Sequence, residues 1–342
     1  MAGSSCMMAR VTQTGIEREA ERTGASVEQV RELVLLEGFM RRAAWVGGPF
    51  MLKGSLITRQ YLSGPAQDNE RLSRDIDWVC IEPFDRERSA RQLNTWAQSV
   101  TTVHLDDGLH FRSFIDNAFW RMIDYAMDDD FPTVSTDIDG CVLDGESETA
   151  LHRFRLDVSF NLKLDPPPVA LHYVPCLGEA FQLPSTCALD LQIAWKLHQC
   201  LVRPRFKDLL DLMWLVPHNA IDADAVGRAL RAECAQDKAD AGRLRYLLNG
   251  DMPRHPVFPG QRAVKTMAQA WEWWRHGTLP NKAGPGQAVA FIGEPASTCV
   301  SRVDALPDRL ETFLAQLHEA LHGLVETLLS ELQLRQGAGF KA

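Results

Sequence analysis

The sequence has no C-x-x-C pair, no cysteine and histidine cluster at zinc-ligand spacing, and no apolar run approaching the length of a membrane span. Its eight cysteines are scattered from Cys6 to Cys299 and read as reduced thiols of a cytoplasmic protein rather than a disulfide framework. The ten histidines lie singly, so none is read as a metal ligand. The opening stretch "MAGSSCMMARVTQTGIEREAERTG" has no apolar core ahead of a cleavage site, and no secretory signal is expected in it. Positive charge is also in short supply. Lys and Arg number 36 against 45 Asp and Glu, for a net charge of −9. That balance argues against a protein that coats nucleic acid through its overall charge, while leaving room for a local basic site. Internal repeats and low-complexity tracts are absent too.

What is present is an ordinary globular composition: 342 residues, 45% apolar and 24% charged, enough for one large domain or two modest ones. Residues 14–46 read as helical, with Ser26 as an N-cap and Val27, Val30, Val34, Leu35 and Phe39 on one broad face. Gly47-Gly48-Pro49 breaks the pattern. "FMLKGSLITRQYL" reads as a short strand, a turn at Gly54-Ser55 and a short amphipathic helix; a polar loop follows over 63–72. "SRDIDWVCIEP" alternates, with Ile76, Trp78 and Cys80 on one face and Asp75, Asp77 and Val79 on the other, as a central strand would. Helices are expected over 86–100 and 113–127. "FPTVSTDIDGCVLDGESETALHRFRLDVSFNL" reads as strand, turn, strand, with Asp139-Gly140 in or near the reversal and Asp157 on the polar face of the second strand. Beyond "DPPPVA" the chain turns helical, interrupted at Pro204. The stretch 277–304 is Gly/Pro-rich and irregular.

These patterns predict an α/β (α+β) fold: a helical segment over 1–48, a mixed sheet with flanking helices over 49–183, and a mainly helical region over 184–342. The leucine stripe from Leu310 to Leu332 is expected to pack a core, with a dimer seam as the other reading. Trp271, Trp273 and Trp274 invite comparison with a base-stacking platform, but their spacing favours a packed core.

The residues suited to chemistry lie on strand edges. Asp75 and Asp77 alternate on one strand and point the same way; Asp157 adds a carboxylate from another. Rigid strand-borne carboxylates suit two Mg²⁺ ions, or Mn²⁺ in their place. The Gly54-Ser55 turn opens a helix and can offer backbone N–H groups to phosphate. Lys196 and Lys207 lie eleven residues apart with Arg203 and Arg205 between, and on an unbroken helix they would share a face. Metals, a phosphate cradle and a cationic clamp are the parts of a nucleotidyl-transfer centre.

Four stretches, "LKGSLITRQYL", "RLSRDIDWV", "RLDVSF" and "AWKLHQCLVRPRFKDLLDL", occur in that order over about residues 50–215. Together they resemble the signature of the AbiEii/AbiGii toxin-type nucleotidyltransferases of the DNA polymerase β-like superfamily. The resemblance implies a triphosphate held by Gly54 and Ser55, metals bound by Asp75 and Asp77, and a site completed by Asp157. It further implies Lys196 on the nucleotide phosphates and Asp208 in catalysis or in holding the site, with Arg59, Arg205, Lys207 and Asp211 at less certain matching positions. The implied substrates are an NTP and an acceptor hydroxyl on RNA (a tRNA end) or protein. The implied partner is a cognate antitoxin of a type IV system, and no membrane is involved. Pro204 departs from an unbroken clamp helix.

Other readings compete. The same chemistry could act on a small antibiotic-type acceptor. A haloacid dehalogenase-like phosphatase built on Asp137 and Asp139 would need an apolar parallel strand before the motif and a βαβ unit after it; "PTVST" is polar, and another strand follows within about ten residues. A catalytically inactive partner-binding protein is the third class, although every acidic position is in place.

Overall fold

The computed structural model describes residues 10–62, 69–117, 120–123, 132–144, 147–148, 150–256, 263–277 and 294–332. The chain divides into two compact units. One comprises 1–60, 71–162 and 168–187; the other comprises 61–70, 163–167 and 188–342.

The first unit is built on a mixed sheet. Helices α1 (Gln13–Thr23) and α2 (Val27–Val46) precede β1 (Phe50–Lys53), the short α3 (Ser55–Gln60), β2 (Asp75–Cys80) and α4 (Arg86–Thr102). Then come β3 (Leu109–Phe111), β4 (Arg121–Ile123), β5 (Thr133–Asp144), β6 (Ser147–Glu148), β7 (His152–Ser159), β8 (Val169–Tyr173) and β9 (Phe181–Thr186). Seven strands run in the order β3-β5-β7-β2-β1-β9-β8, with β4 and β6 also paired to β5. The β2–β7 and β1–β9 pairs are parallel; β1–β2, β3–β5, β5–β7 and β8–β9 are antiparallel. β2 therefore lies mid-sheet, as its alternation predicts.

Two helices stand where the sequence suggests one over 14–46. Gly24, in the left-handed conformation at φ 75°, ends α1. Ser26 then opens α2 with a capping box shared with Gln29. α2 and α4 cover one face of the sheet. Phe39 meets Phe154 edge-on at 5.7 Å, and Trp78 meets Trp96 at 5.4 Å. Arg42 is buried on the helical side and forms a bidentate pair with Asp107 at 2.7 and 2.9 Å. The opposite face of β1, β2, β7 and β5 carries Lys53, Asp75, Asp77, Arg155, Asp157 and Ser135, because residues paired in register point to the same side.

Two sequence expectations fail here. Where described, the stretch 113–127 holds a 3-10 turn at Phe114–Asn117 and strand β4 in place of a helix. Pairing of β4 with β5 outweighs the local pattern. The Asp139-Gly140 pair is not at a reversal: it sits within the twelve-residue β5, with Gly140 opposite His152 and the chain turning only after Asp144. Gly140 is a close-approach residue, since a Cβ there would lie 2.9 Å from the Phe111 ring. Residues 63–68 of the expected polar loop and 278–293 of the Gly/Pro-rich stretch lie outside the described residues.

The second unit is helical: α5 (Leu189–Val202), α6 (Phe206–Leu215), α7 (Ala223–Gln236), α8 (Leu244–Leu248), α9 (Ala263–His276) and α10 (Leu310–Glu331). The leucine stripe is core: Leu310, Leu317, Leu321, Leu324 and Leu328 of α10 are buried, together with Phe313, and α10 packs on α6, α7 and α8. Trp271 and Trp274 are fully buried beside Phe206 and Phe313, with Trp271 stacked on Phe313 at 4.5 Å, so these two form an aromatic core while Trp273 is half-buried. Phe206→Ala removes the ring at its centre and should cost about 3–5 kcal/mol. Denaturant unfolding followed by tryptophan fluorescence would read this as a lower midpoint.

Candidate active site

Asp77 and Asp157 face each other across the parallel β2–β7 pair, in direct register, while Asp75 faces Arg155 one step along. Alternation alone places Asp75 and Asp77 on one side; the register adds Asp157 to the same side. The three predicted carboxylates are thus gathered on adjacent mid-sheet strands. Asp157 is the deepest, 4% exposed, and its Oδ1 is buried with no hydrogen-bond partner. Burial raises its carboxyl above the ordinary aspartate range, and the charges of Asp77 and Asp75 add to the rise; Ser135 and Arg155 oppose it.

The Gly54-Ser55 turn belongs to this group. Lys53, at the end of β1, stands opposite Asp77, its Nζ 3.4 Å from Asp77 Oδ1. Gly54 has φ 88°, and a Cβ on it would lie 2.7 Å from Asp77 Oδ2. Glycine is required twice over there, by backbone conformation and by the approach of the carboxylate. Ser55 Oγ lies 2.6 Å from Ser73 Oγ, and Ser73 in turn donates to the Asp75 carbonyl at 2.8 Å. The turn, the serine of "RLSRDID" and the first aspartate form one linked chain. Lys53 and Ser73 have no role in the sequence reading, although both are within two residues of its key positions.

Arg155 is the main counter-charge. Its Nη2 lies 2.9 Å from Asp75 Oδ2 and its Nε 3.3 Å from Asp157 Oδ2. Among the described residues, no three Asp, Glu, His or Cys side chains are grouped to hold an ion by themselves. What fits a hard divalent cation is narrower: the unpartnered, buried Asp157 Oδ1 with Asp77 as its register neighbour. Mg²⁺ commonly takes one or two carboxylates and fills its remaining positions with water and substrate phosphate, so a complete protein cage is not required.

Arg59, a candidate nucleotide contact by sequence, is placed in the interior of the same unit. It pairs with buried Glu37 at 2.5 Å and lies 3.5 Å from the Tyr173 hydroxyl. Burial raises the Glu37 carboxyl while Arg59 lowers it. Asp139 is buried and held by Arg153 at 2.8 and 3.3 Å. β5 runs antiparallel to both neighbours, β3 and β7, which is not the parallel setting a phosphatase nucleophile needs.

The helical unit gathers a second set. Pro204 lies between α5 and α6, as expected, and the shared face of Lys196 and Lys207 does not form. Lys196 turns to α6, with Nζ 2.5 Å from Asp211 Oδ2 and 3.7 Å from Asp208 Oδ1; Arg205 Nε is 2.6 Å from Asp208 Oδ2. Asp211 is fully buried and Asp208 nearly so. Two cations and two anions compensate one another, and Asp208 also sits in the first turn of α6, where the helix dipole favours an anion. Lys207 points elsewhere, 4.0 Å from Glu294.

The chain can be placed in a known class. The family model for the nucleotidyl transferase AbiEii toxin, type IV TA system, matches residues 49–274, and the chain belongs to that family: it is a toxin-type nucleotidyltransferase. Among solved structures, the fold is similar to that of MenT4, the nucleotidyltransferase toxin Rv2826c from Mycobacterium tuberculosis H37Rv. The TM-score is 0.51 at 13% identity, covering 95% of this chain and 92% of that one. No curated protein sequence matches the chain. No helix among the described residues is long and apolar enough to cross a membrane.

Two outcomes test these geometries. Asp157→Asn removes a buried charge that Arg155 answers at only one of its two oxygens. Its raised folded-state pKa means the proton-linked stability is present below the ordinary 3.8 and is lost as pH rises through the folded value. The variant should therefore melt a few degrees higher than wild type at pH 7 without added metal, with the gain vanishing below pH 3.8 in thermal scans. In the helical unit, Asp211→Ala removes the nearer partner of part-buried Lys196, leaving only Asp208 at 3.7 Å, and should cost about 3 kcal/mol, while Lys196→Met with Asp211→Leu should recover most of it, as read by urea midpoints.

Proposed function

We propose that the chain transfers a nucleoside monophosphate from an NTP to an acceptor hydroxyl, with an RNA (tRNA) end or a protein as the acceptor. The observation that carries this reading is the register of Asp77 with Asp157 beside the Gly54 turn. Two carboxylates share one face at mid-sheet, one of them with an oxygen that has no protein partner, next to a turn where any side chain would intrude.

Asp77 and Asp157, with Asp75 once it leaves Arg155, are the residues that would hold Mg²⁺ or Mn²⁺. Bound there, divalent ions would neutralise the triphosphate and polarise its α-phosphorus. The remaining work falls to the chain. Ile57 and Thr58 N–H close the first turn of α3 on the Gly54 carbonyl, and the N–H groups of Ser55 and Leu56 ahead of them are the ones proposed to donate to phosphate oxygens. Asp157, its affinity for a proton raised by burial, is suited to accept the proton of the attacking hydroxyl. The acceptor oxygen then forms a bond to the α-phosphorus as the bond to pyrophosphate breaks, and pyrophosphate leaves with its electron pair. Lys196 and Asp208, at the positions the resemblance marks, are proposed to serve the nucleotide phosphates and the integrity of the site. The proposed partner protein is a cognate antitoxin of a type IV system, and the proposed location is the cytoplasm.

Asp75→Ala with Asp77→Ala should reduce label transfer from an NTP to RNA or protein at least ~10³-fold, on the scale of losing electrostatic stabilisation of the reacting phosphate, and should abolish growth inhibition on expression. Asp139→Ala should keep most label transfer. The opposite ranking of the two variants would defeat the reading. Gly54→Ala should lose label transfer along with about 1–3 kcal/mol of stability, through strain and displacement of Asp77.

A further inference from the structure

Glu37 lies in the middle of α2, 3% exposed, and the chemistry above makes no use of it. Its carboxylate is fully engaged. Arg59 of α3 pairs with Oε1 at 2.5 Å, the Tyr173 hydroxyl donates to the same oxygen at 3.0 Å, and the Cys176 N–H donates to Oε2 at 2.8 Å. The residue after Arg59 closes a second clamp. The Gln60 amide donates to the Val174 carbonyl at 3.1 Å and accepts from the Val174 N–H at 2.8 Å. Both clamps grip the last two residues of α3. We propose that Glu37 is a positioning residue for the candidate active site, acting through Arg59 and α3 on the Gly54-Ser55 turn and, through that turn, on Asp75 and Asp77. This rests on the nucleotidyl-transfer reading above.

Helix length supports it. α3 has six residues, and an isolated helix in water is marginal below about 12–15, so the geometry of α3 is imposed from its surroundings. At its start, Ile57 and Thr58 N–H close on the Gly54 carbonyl, Ser55 Oγ lies 2.6 Å from Ser73 Oγ, and Ser73 donates to the Asp75 carbonyl. Gly54 lies so close to Asp77 that a Cβ would stand 2.7 Å from Oδ2. At the other end stand Arg59 and Gln60. Arg59 is four residues beyond Ser55, about 6 Å along the helix axis, so movement of its anchor reaches the turn across a single helical turn. Burial is the second argument. Taking Glu37 and Arg59 out of water is costly, and an apolar pair of similar size often holds a fold as well. What the charged pair adds is direction. Three donors fixed on two oxygens join α2, α3 and the 173–176 segment in one geometry. The buried Leu56 and Ile57 also anchor α3, but apolar burial is non-directional. A reacting centre tolerates little slack: an ångström of misplacement can cost about 10²-fold in rate.

The test is the rate of label transfer from α-labelled NTP to total RNA and total protein, with the full-length chain and Mg²⁺, expressed per folded molecule. Circular dichroism melts supply the folded fraction. Glu37→Gln keeps the shape of the side chain and removes its charge; kcat should fall about 10-fold while KM for the NTP moves by less than about 3-fold. Glu37→Met with Arg59→Met should return Tm to near the wild-type value and leave kcat low, since packing is restored and direction is not. Gln60→Ala, at the partly exposed clamp, should stay folded and lower kcat about 3-fold, the scale of a hydrogen-bonded contact. Unchanged kcat in Glu37→Gln, or in Gln60→Ala where Glu37→Gln does not fold, overturns the proposal and leaves the nucleotidyl-transfer reading intact. So does a loss confined to KM. So does a kcat that recovers with Tm in the methionine pair, which would make Glu37 a residue of stability alone. Absence of label transfer by the wild-type chain overturns the reading and the proposal together.

Discussion

Two aspartates face each other in register across neighbouring strands near the middle of a sheet, and most of the first unit can be understood from what they require. Asp157 is buried beside Asp77, and placing like charges together in a shielded position is unfavourable unless counter-charge or a ligand answers it. Lys53 and Arg155 supply part of the answer from β1 and β7. Gly54 supplies another part by having no side chain, so that the Asp77 carboxylate can lie against the turn. The apolar face of the same strands fixes the register: Ile76, Trp78, Leu156 and Val158 are buried, so a slip of one residue would turn the aspartates into the core and the hydrophobes out. The rigidity of this carboxylate-bearing face is thus set by the packing of α2 and α4 on the far side.

The helical unit handles its polar residues in the same way. Lys196, Arg205, Asp208 and Asp211 form a compensated cluster at the start of α6, next to the break at Pro204. Removing one member unbalances a cluster whose two carboxylates are buried, so these residues matter to folding as well as to any role with a nucleotide.

Much of this was legible because it depends on short-range pattern. The period-two alternation of "RDIDWVC" and of "HRFRLDVSF" reveals two strands and the side each aspartate occupies. The Ser26 capping box, the break at Pro204, the leucine stripe of α10 and the buried tryptophans of α9 follow from helical spacing and turn chemistry. What was not legible depends on which strands become neighbours. Asp-Gly is a strong local turn signal, yet Gly140 is there because Phe111 of β3 packs over it. The 113–127 stretch has helical spacing, but β4 finds a partner in β5. Arg59 follows the Gly54-Ser55 turn in the sequence, and its partner Glu37 lies on α2, beyond the reach of any motif. Lys196 and Lys207 would share a face only on a straight helix; the break lets Lys196 find Asp211 on the following helix. Lys53 became visible only through its register with Asp77.

The most direct test of the central claim is the fate of the nucleotide's phosphorus. Purified full-length protein would be incubated with Mg²⁺, total RNA and total protein, and with each NTP labelled in turn at the α- or the γ-phosphate. The account predicts label in a macromolecular acceptor from the α-labelled nucleotide only, with γ-label recovered as pyrophosphate. Label entering the acceptor from the γ-position, or release of inorganic phosphate without any acceptor labelling, would contradict it.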